Sequence, residues 1–388
     1  MTAPPISDPR SNRWTYVDFA RGVAVIGMIL DHANLYTNPL RPANEGLFGS
    51  YPDPVGFWDF TARFSTMPGA VVFFVLAGMM MGRHMVIAPS AEMKRHRAVS
   101  MAQRGLIFIA IEVCVMSFGW SFPQNVLNGF YFLVFQVIGA FGICFLAYAA
   151  LQFLHPIALG AIALSLIVGR EFLDPPGFQL IRNTGDFALS ALWEPGLAPG
   201  RALVLFPACA WLPILLIGDL AGRAMARREQ RGLPAATARG LFIGMIACYV
   251  PFLVLRATGV FGGLGEPRPD HWMSFFYTSR YPPSITYLLI ALGWSQMLML
   301  WGMLYRDNAG PGTRFTELFG RQPFFVYIIH LFVVGLLTYA MPIEYKGGNI
   351  WWACLVFVIA TAMLWWPVQR YDQFKRANRR RYWLLGMI

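Results

Sequence analysis

The sequence predicts an all-α, polytopic integral membrane protein of about ten transmembrane helices with both termini in the cytoplasm. Three observations carry that expectation. Of 388 residues, 56% are hydrophobic and only 13% are charged, roughly half the charged share of soluble domains. Apolar runs near the ~20 residues needed to cross hydrocarbon recur along the whole chain. The basic residues, 28 of 31 of them arginine, fall between those runs and are unevenly divided. So much apolar surface excludes a disordered chain. The net charge of +11 reads as membrane topology, with no nucleic acid as partner.

A polar, proline-rich segment, 1–16, opens the chain. The run after it contains Arg21 and Asp31 and lacks a small-residue cleavage site, so it reads as an uncleaved first helix, 17–35. Further spans are expected at 66–85, 104–120, 129–150, 153–169, 204–222, 240–256, 284–304, 322–340 and 350–368, and a basic tail at 369–388. The region 17–368 forms one membrane domain. With the N-terminus inside, 21 basic residues fall in cytoplasmic segments and nine in outward loops, and an even number of spans returns the tail to the cytoplasm. The outward loops 36–65, 170–203 and 257–283 are long and rich in Trp, Pro and Asp. Loops of that length are uncommon unless they carry function or are disordered, and these suit a polar substrate such as a sugar. The expected location is a bacterial cytoplasmic (inner) membrane, the bilayer itself is a partner, and a homodimer is left open. The five cysteines form no CxxC pair and read as core residues, so no metal site is called for.

Ionisable groups within a span are costly and therefore point to function. The first helix carries Asp18, Arg21, Asp31 and His32. Eleven residues make three turns plus about 20°, so Arg21 and His32 share a face about 16 Å apart along the axis. A cation at the inner end and an imidazole near the outer end suit an extended ligand with an anionic head. Arginine holds phosphate through a planar fork of donors, and a neutral histidine exchanges protons with an attacking hydroxyl or amine. Alternatively, Asp18 and Arg21 neutralise one another, and Asp31-His32 ends the helix. His330, one turn after Tyr327 in the ninth span, is either a second site residue or a satisfied structural histidine. Glu112 and Asp219 read as anchors for arginine or backbone groups.

Four stretches, spanning residues 17–335, resemble one family. They are Asp18-Phe19-Ala20-Arg21-Gly22 running on to Asp31-His32, then Phe73-Phe74-Val75-Leu76-Ala77-Gly78. Next come Tyr281-Pro282-Pro283-Ser284 and Phe319-Gly320-Arg321-Gln322-Pro323-Phe324-Phe325-Val326-Tyr327-Ile328-Ile329-His330. Together they are similar to the heparan-α-glucosaminide N-acetyltransferase-like bacterial family of transmembrane acyltransferases. The resemblance implies transfer of an acetyl or similar short acyl group from cytosolic acetyl-CoA, the acyl donor and only cofactor, to a saccharide or glycoconjugate acceptor outside. Arg21, Arg321 and His330 carry over to donor binding, and His32 to catalysis. The chain departs from the family at Met67, where many relatives have histidine, and at Arg280, where they have lysine. The lysosomal relative is thought to place its catalytic histidine in the first outward loop, and loop 36–65 here holds none. His32 is therefore the expected base. Asp31 orients the acceptor or pairs with an outward-loop arginine such as Arg63. Arg63, Arg280 and Tyr281 are assigned to acceptor binding. The rival reading is a transporter or flippase for a polar or sugar-linked substrate, although paired broken helices and internal repeats are not evident.

The topology has a direct test. A cysteine introduced at Ser50 is expected to react with a membrane-impermeant thiol reagent in intact cells. Reaction only after permeabilisation would reverse the orientation.

Overall fold

A computed structural model describes residues 13–38, 56–88, 90–123, 126, 133–173, 186–193, 195–198, 202–259, 268, 270–305, 310–341, 349–378 and 381. Ser50, Arg41, Arg182, Arg201, Lys346, Arg379 and Arg380 lie outside the described residues, as does most of the segment 1–16.

The helices are α1 (Thr15–Thr37), α2 (Phe57–Thr66), α3 (Gly69–Ile87), α4 (Ala91–Ile111), α5 (Ser117–Ser121), α6 (Val137–Leu151) and α7 (Pro156–Leu173). After them come α8 (Phe187–Leu192), α9 (Ala208–Gln230), α10 (Ala238–Thr258), α11 (Ile285–Leu304), α12 (Pro311–Arg321), α13 (Pro323–Ala340) and α14 (Ile350–Asn378). Among the described residues, eight helical stretches are long and apolar enough to cross a membrane. The 23-residue α1, with its charged groups, and the 15-residue α6 occupy the other two expected positions. The protein is an all-α polytopic membrane protein with one small exception. Strands β1 (Leu133–Phe135), β2 (Gly196–Ala198) and β3 (Ala202–Val204) form a three-stranded sheet in the order β1-β3-β2.

Several boundaries differ from expectation for identifiable reasons. The span expected at 104–120 begins at Ala91, because charged residues such as Lys94 and Arg95 are good helix formers and the Ser90 side chain caps Met93 N at 3.2 Å. The tail expected from 369 is helical to Asn378 on the same grounds. The span expected from 129 starts only at Val137 because β1 comes first. A π-helical turn at Glu112–Met116 aims the Glu112 carboxylate at the start of α6. There it accepts from Gln136 N at 2.6 Å and Gly139 N at 3.1 Å, satisfying orphan amide groups of that helix. Loop 36–65 is not all loop: α2 occupies its end.

Two close helix crossings organise the bundle. Gly78 and Gly82 of α3 face Gly218 and Gly222 of α9, and a Cβ at any of the four would lie within 2.2 Å of a carbonyl oxygen across the interface. This is paired small-xxx-small packing, in which glycine lets backbones touch. The same holds where α1 meets α12. A Cβ at Gly22 would sit 1.9 Å from Thr316 O, and one at Gly320 would sit 1.8 Å from Asp18 O. Helix α1 is the hub, touching α2, α3, α11, α12, α13 and α14. Beside the α3–α9 pair, Phe74 stacks on Phe141 of α6 with centroids 3.8 Å apart.

Gly218→Leu should force α3 and α9 apart and cost about 1–3 kcal/mol or more, read as a lowered thermal midpoint in detergent, with Gly218→Ala intermediate. An unchanged midpoint for the leucine variant would remove this crossing from the fold's supports.

Candidate active site

Helix α1 carries polar groups into the bundle at both of its ends. At its start, Asp18 is bonded by Arg13 Nε at 2.5 Å and by Arg21 Nη1 at 3.4 Å. Arg21 Nη1 also lies 3.4 Å from the Gly320 carbonyl, a contact that the glycine crossing permits. Arg321 is on the next residue. Its guanidinium meets Asp372 of α14, with Nη2 to Oδ2 at 3.3 Å and Nε to Oδ1 at 3.4 Å.

Arg21 and Arg321 line one cavity of about 370 Å³. Arg104, Lys375 and His84 join them, and no carboxylate lies among its described lining residues. The remaining walls are apolar, including Phe73, Met80, Phe108, Phe141 and Phe324. A cationic rim on an apolar interior is the character of a site for an anionic head with a less polar arm. Tyr327 also lines this cavity, and its ring lies 5.8 Å from that of His330.

His330, expected at the donor with Arg321, stands against His32. Seven residues of helix carry it about 10 Å beyond Pro323. His32 Nδ1 and His330 Nε2 are 2.6 Å apart, and the rings stack at 4.9 Å and 18°. His330 Nδ1 lies 2.9 Å from the Val326 carbonyl. A carbonyl only accepts, so Nδ1 of His330 carries a proton, and in the neutral ring Nε2 is the acceptor. His32 Nδ1 must then donate to it. The neutral His32 ring is thereby held in the tautomer whose Nε2 bears the lone pair, the proton acceptor that general-base chemistry requires. Trp120 lies edge-on to His32 at 4.9 Å and stacks with Tyr36 at 6.1 Å.

Asp31 lies about 100° round α1 from His32, toward Thr66 of α2 and the turn before α11. Thr66 Oγ1 donates to Asp31 Oδ1 at 2.9 Å, and Arg280 Nη1 lies 3.6 Å from Oδ2. Arg280 thus supplies a cation to Asp31, while Arg63 lies 5.5 Å over the Tyr277 ring. The Tyr281 ring packs 4.9 Å under the Arg280 guanidinium and edge-on to Phe206. Burial acts to lower the Arg280 pKa, but Tyr281 and Asp31 outweigh it, so the pKa lies above that of an ordinary arginine and the group stays a cation. The anchors Glu112 and Asp219 lie apart from this cluster. Asp219 is bonded by Tyr148 Oη at 2.6 Å and Arg223 Nε at 2.7 Å.

The structure therefore groups Arg21 with Arg321, His32 with His330, and Asp31 with Arg280 and Tyr281. Arg104, Lys375, His84 and Trp120 join these groups without a signal in the sequence, because basic and aromatic residues are common at any membrane interface. Tyr327 had one signal, its spacing of one turn before His330. A family model described as an acyltransferase domain matches residues 14–368. No curated protein matches the chain.

Removing one member of a buried ion pair leaves its partner's charge uncompensated, at a cost of about 3–5 kcal/mol. Asp31→Ala is expected to destabilise by that order, and Asp31→Ala with Arg280→Ala by less than the two single variants added, measured by thermal unfolding. Additive losses would show that the pair is not coupled.

Proposed function

The chain belongs to the acyltransferase domain family, and we propose that this membrane acyltransferase moves an acetyl or similar short acyl group from acyl-CoA to a saccharide or glycoconjugate on the opposite side of the membrane. The narrower likeness to heparan-α-glucosaminide N-acetyltransferase-like bacterial enzymes, and the bacterial inner membrane as location, belong to the same proposal. The observation that carries it is the cation-rimmed cavity whose Tyr327 wall adjoins the His330–His32 pair. The excess of basic residues supports a cytoplasmic position for the cavity end, where acyl-CoA is available.

In this reading Arg21, Arg104, Lys375 and Arg321 receive the phosphates of the donor, and the apolar walls receive its arm. The thioester reaches the His pair past Tyr327. The acceptor arrives from the far end, where Asp31, Arg280 and Arg63 supply charged groups that orient hydroxyls. Nε2 of His32 takes the proton from the attacking hydroxyl or amine as its oxygen or nitrogen bonds the acyl carbon. His330 accepts from Nδ1 throughout and steadies the imidazolium that forms. Collapse of the tetrahedral intermediate breaks the carbon–sulfur bond, and His32 returns the proton to the leaving thiolate. One proton is taken and one returned, so His32 ends neutral.

Purified protein should release free CoA thiol when given acetyl-CoA and a saccharide, whereas a transporter would not. General-base catalysis contributes about 10²–10⁴-fold, so His32→Ala should lower kcat by that factor with donor binding retained. Arg21→Ala should instead raise the donor KM about ten- to a hundredfold, the worth of a lost charge-assisted contact. Activity should fall as the pH drops through the range in which imidazole gains a proton, since only the neutral ring accepts one. Full activity in a folded His32→Ala protein would move the base elsewhere.

A further inference from the structure

A second cavity, of about 380 Å³, opens between α12 and α14, and among the described lining residues it shares Arg321 alone with the first. Its lining changes character along α14. Trp365 stands at one end, Asp372 two turns on, and Arg376 a further turn on. From Trp365 to Arg376 is about 16 Å of helix. Helix α12 supplies the facing wall, with Phe315 ring to ring with Trp365 at 6.4 Å, and with Arg314 and Arg321. Trp365 is 52% exposed on α14, a helix long and apolar enough to cross a membrane. The groove is thus apolar toward the middle of the bilayer and cationic at the basic end. Three arginines face one carboxylate there, a formal excess of two positive charges. Asp372 holds two of them in place: Arg376 Nη2 lies 2.9 Å from Oδ2 and Arg321 Nη2 lies 3.3 Å from it. Gln322 donates to Oδ1 at 2.7 Å.

We propose that this groove is a binding site for one anionic phospholipid, with the headgroup phosphate on Arg314 and Arg376 and an acyl chain against Phe315 and Trp365. A guanidinium pair suits a phosphate, and basic pockets between spans at the cytoplasmic face are where anionic headgroups bind. The apolar-to-cationic gradient along the helix axis selects an amphiphile aligned with the bilayer rather than a soluble phosphate. The site stands independently of the acyl-transfer reading, because none of its residues other than Arg321 is used there.

The test uses the full chain in nanodiscs. Native mass spectrometry from mixed phosphatidylglycerol and phosphatidylcholine discs should show one phosphatidylglycerol retained per chain. The Arg314→Gln, Arg376→Gln double variant should bind it at least tenfold more weakly, with an unchanged thermal midpoint in phosphatidylcholine alone as the check on folding. Glycerol phosphate and 3′-phosphoadenosine 5′-diphosphate, which offer phosphate without a chain, should not displace the lipid at equal concentration. Equal retention of the two lipids, or retention unaffected in the double variant, would overturn the proposal. Displacement by either soluble phosphate would assign the groove to a water-soluble ligand instead.

Discussion

A polar side chain at hydrocarbon depth must find a partner inside the protein, and α1 carries more such groups than one helix can satisfy from its own length. Asp18 is met locally by Arg13 and Arg21, and the others reach distant segments: Arg21 the carbonyl of Gly320, Asp31 Thr66 and Arg280, His32 His330. The arrangement of α2, α12, α13 and the turn before α11 around α1 follows from these needs. Since the partners of Arg21, Asp31 and His32 come from segments distant in the chain, satisfying them assembles the candidate site at the same time.

Glycine decides how near those partners can come. At Gly22 and Gly320 the backbones of α1 and α12 approach so closely that no side chain fits between them, and the two arginines beside these glycines, Arg21 and Arg321, consequently line one cavity. The motif residues thus divide their work, the glycines setting a distance and the arginines using it. The α3–α9 crossing plays the corresponding part on the other flank, fixing α3, whose Phe73 and Met80 form part of the cavity wall.

The positions of the helices were legible because spanning a bilayer demands apolar length, a property of contiguous sequence. Arg21, Asp31 and His32 were legible because charge in a span is expensive. What the sequence did not disclose was pairing. His32 and His330 are 298 residues apart, and nothing in either local segment shows that the two rings meet. The small sheet was hidden for a different reason: strands of three residues, such as Leu133–Phe135, read as the edge of the adjacent apolar run. Helix ends at Ala91 and Asn378 were missed because a hydropathy criterion stops where the hydrocarbon does, while the helix continues into water.

The shortness of α6 has a consequence for the segment that precedes it. Its 15 residues reach about 22 Å, roughly 8 Å less than the hydrocarbon core. Most of the helix is buried by its neighbours, so the deficit falls within the protein rather than on the surrounding lipid. Val137 and Ile138, the first residues of α6, line the cavity that Arg21 and Arg321 share, and the chain just before them is strand rather than helix. Non-helical backbone at that depth survives only where protein or a water-filled recess surrounds it. At α6 that covering is protein: β1 pairs with β3 in a three-stranded sheet, so strand backbone continues the path that the short helix leaves unfinished.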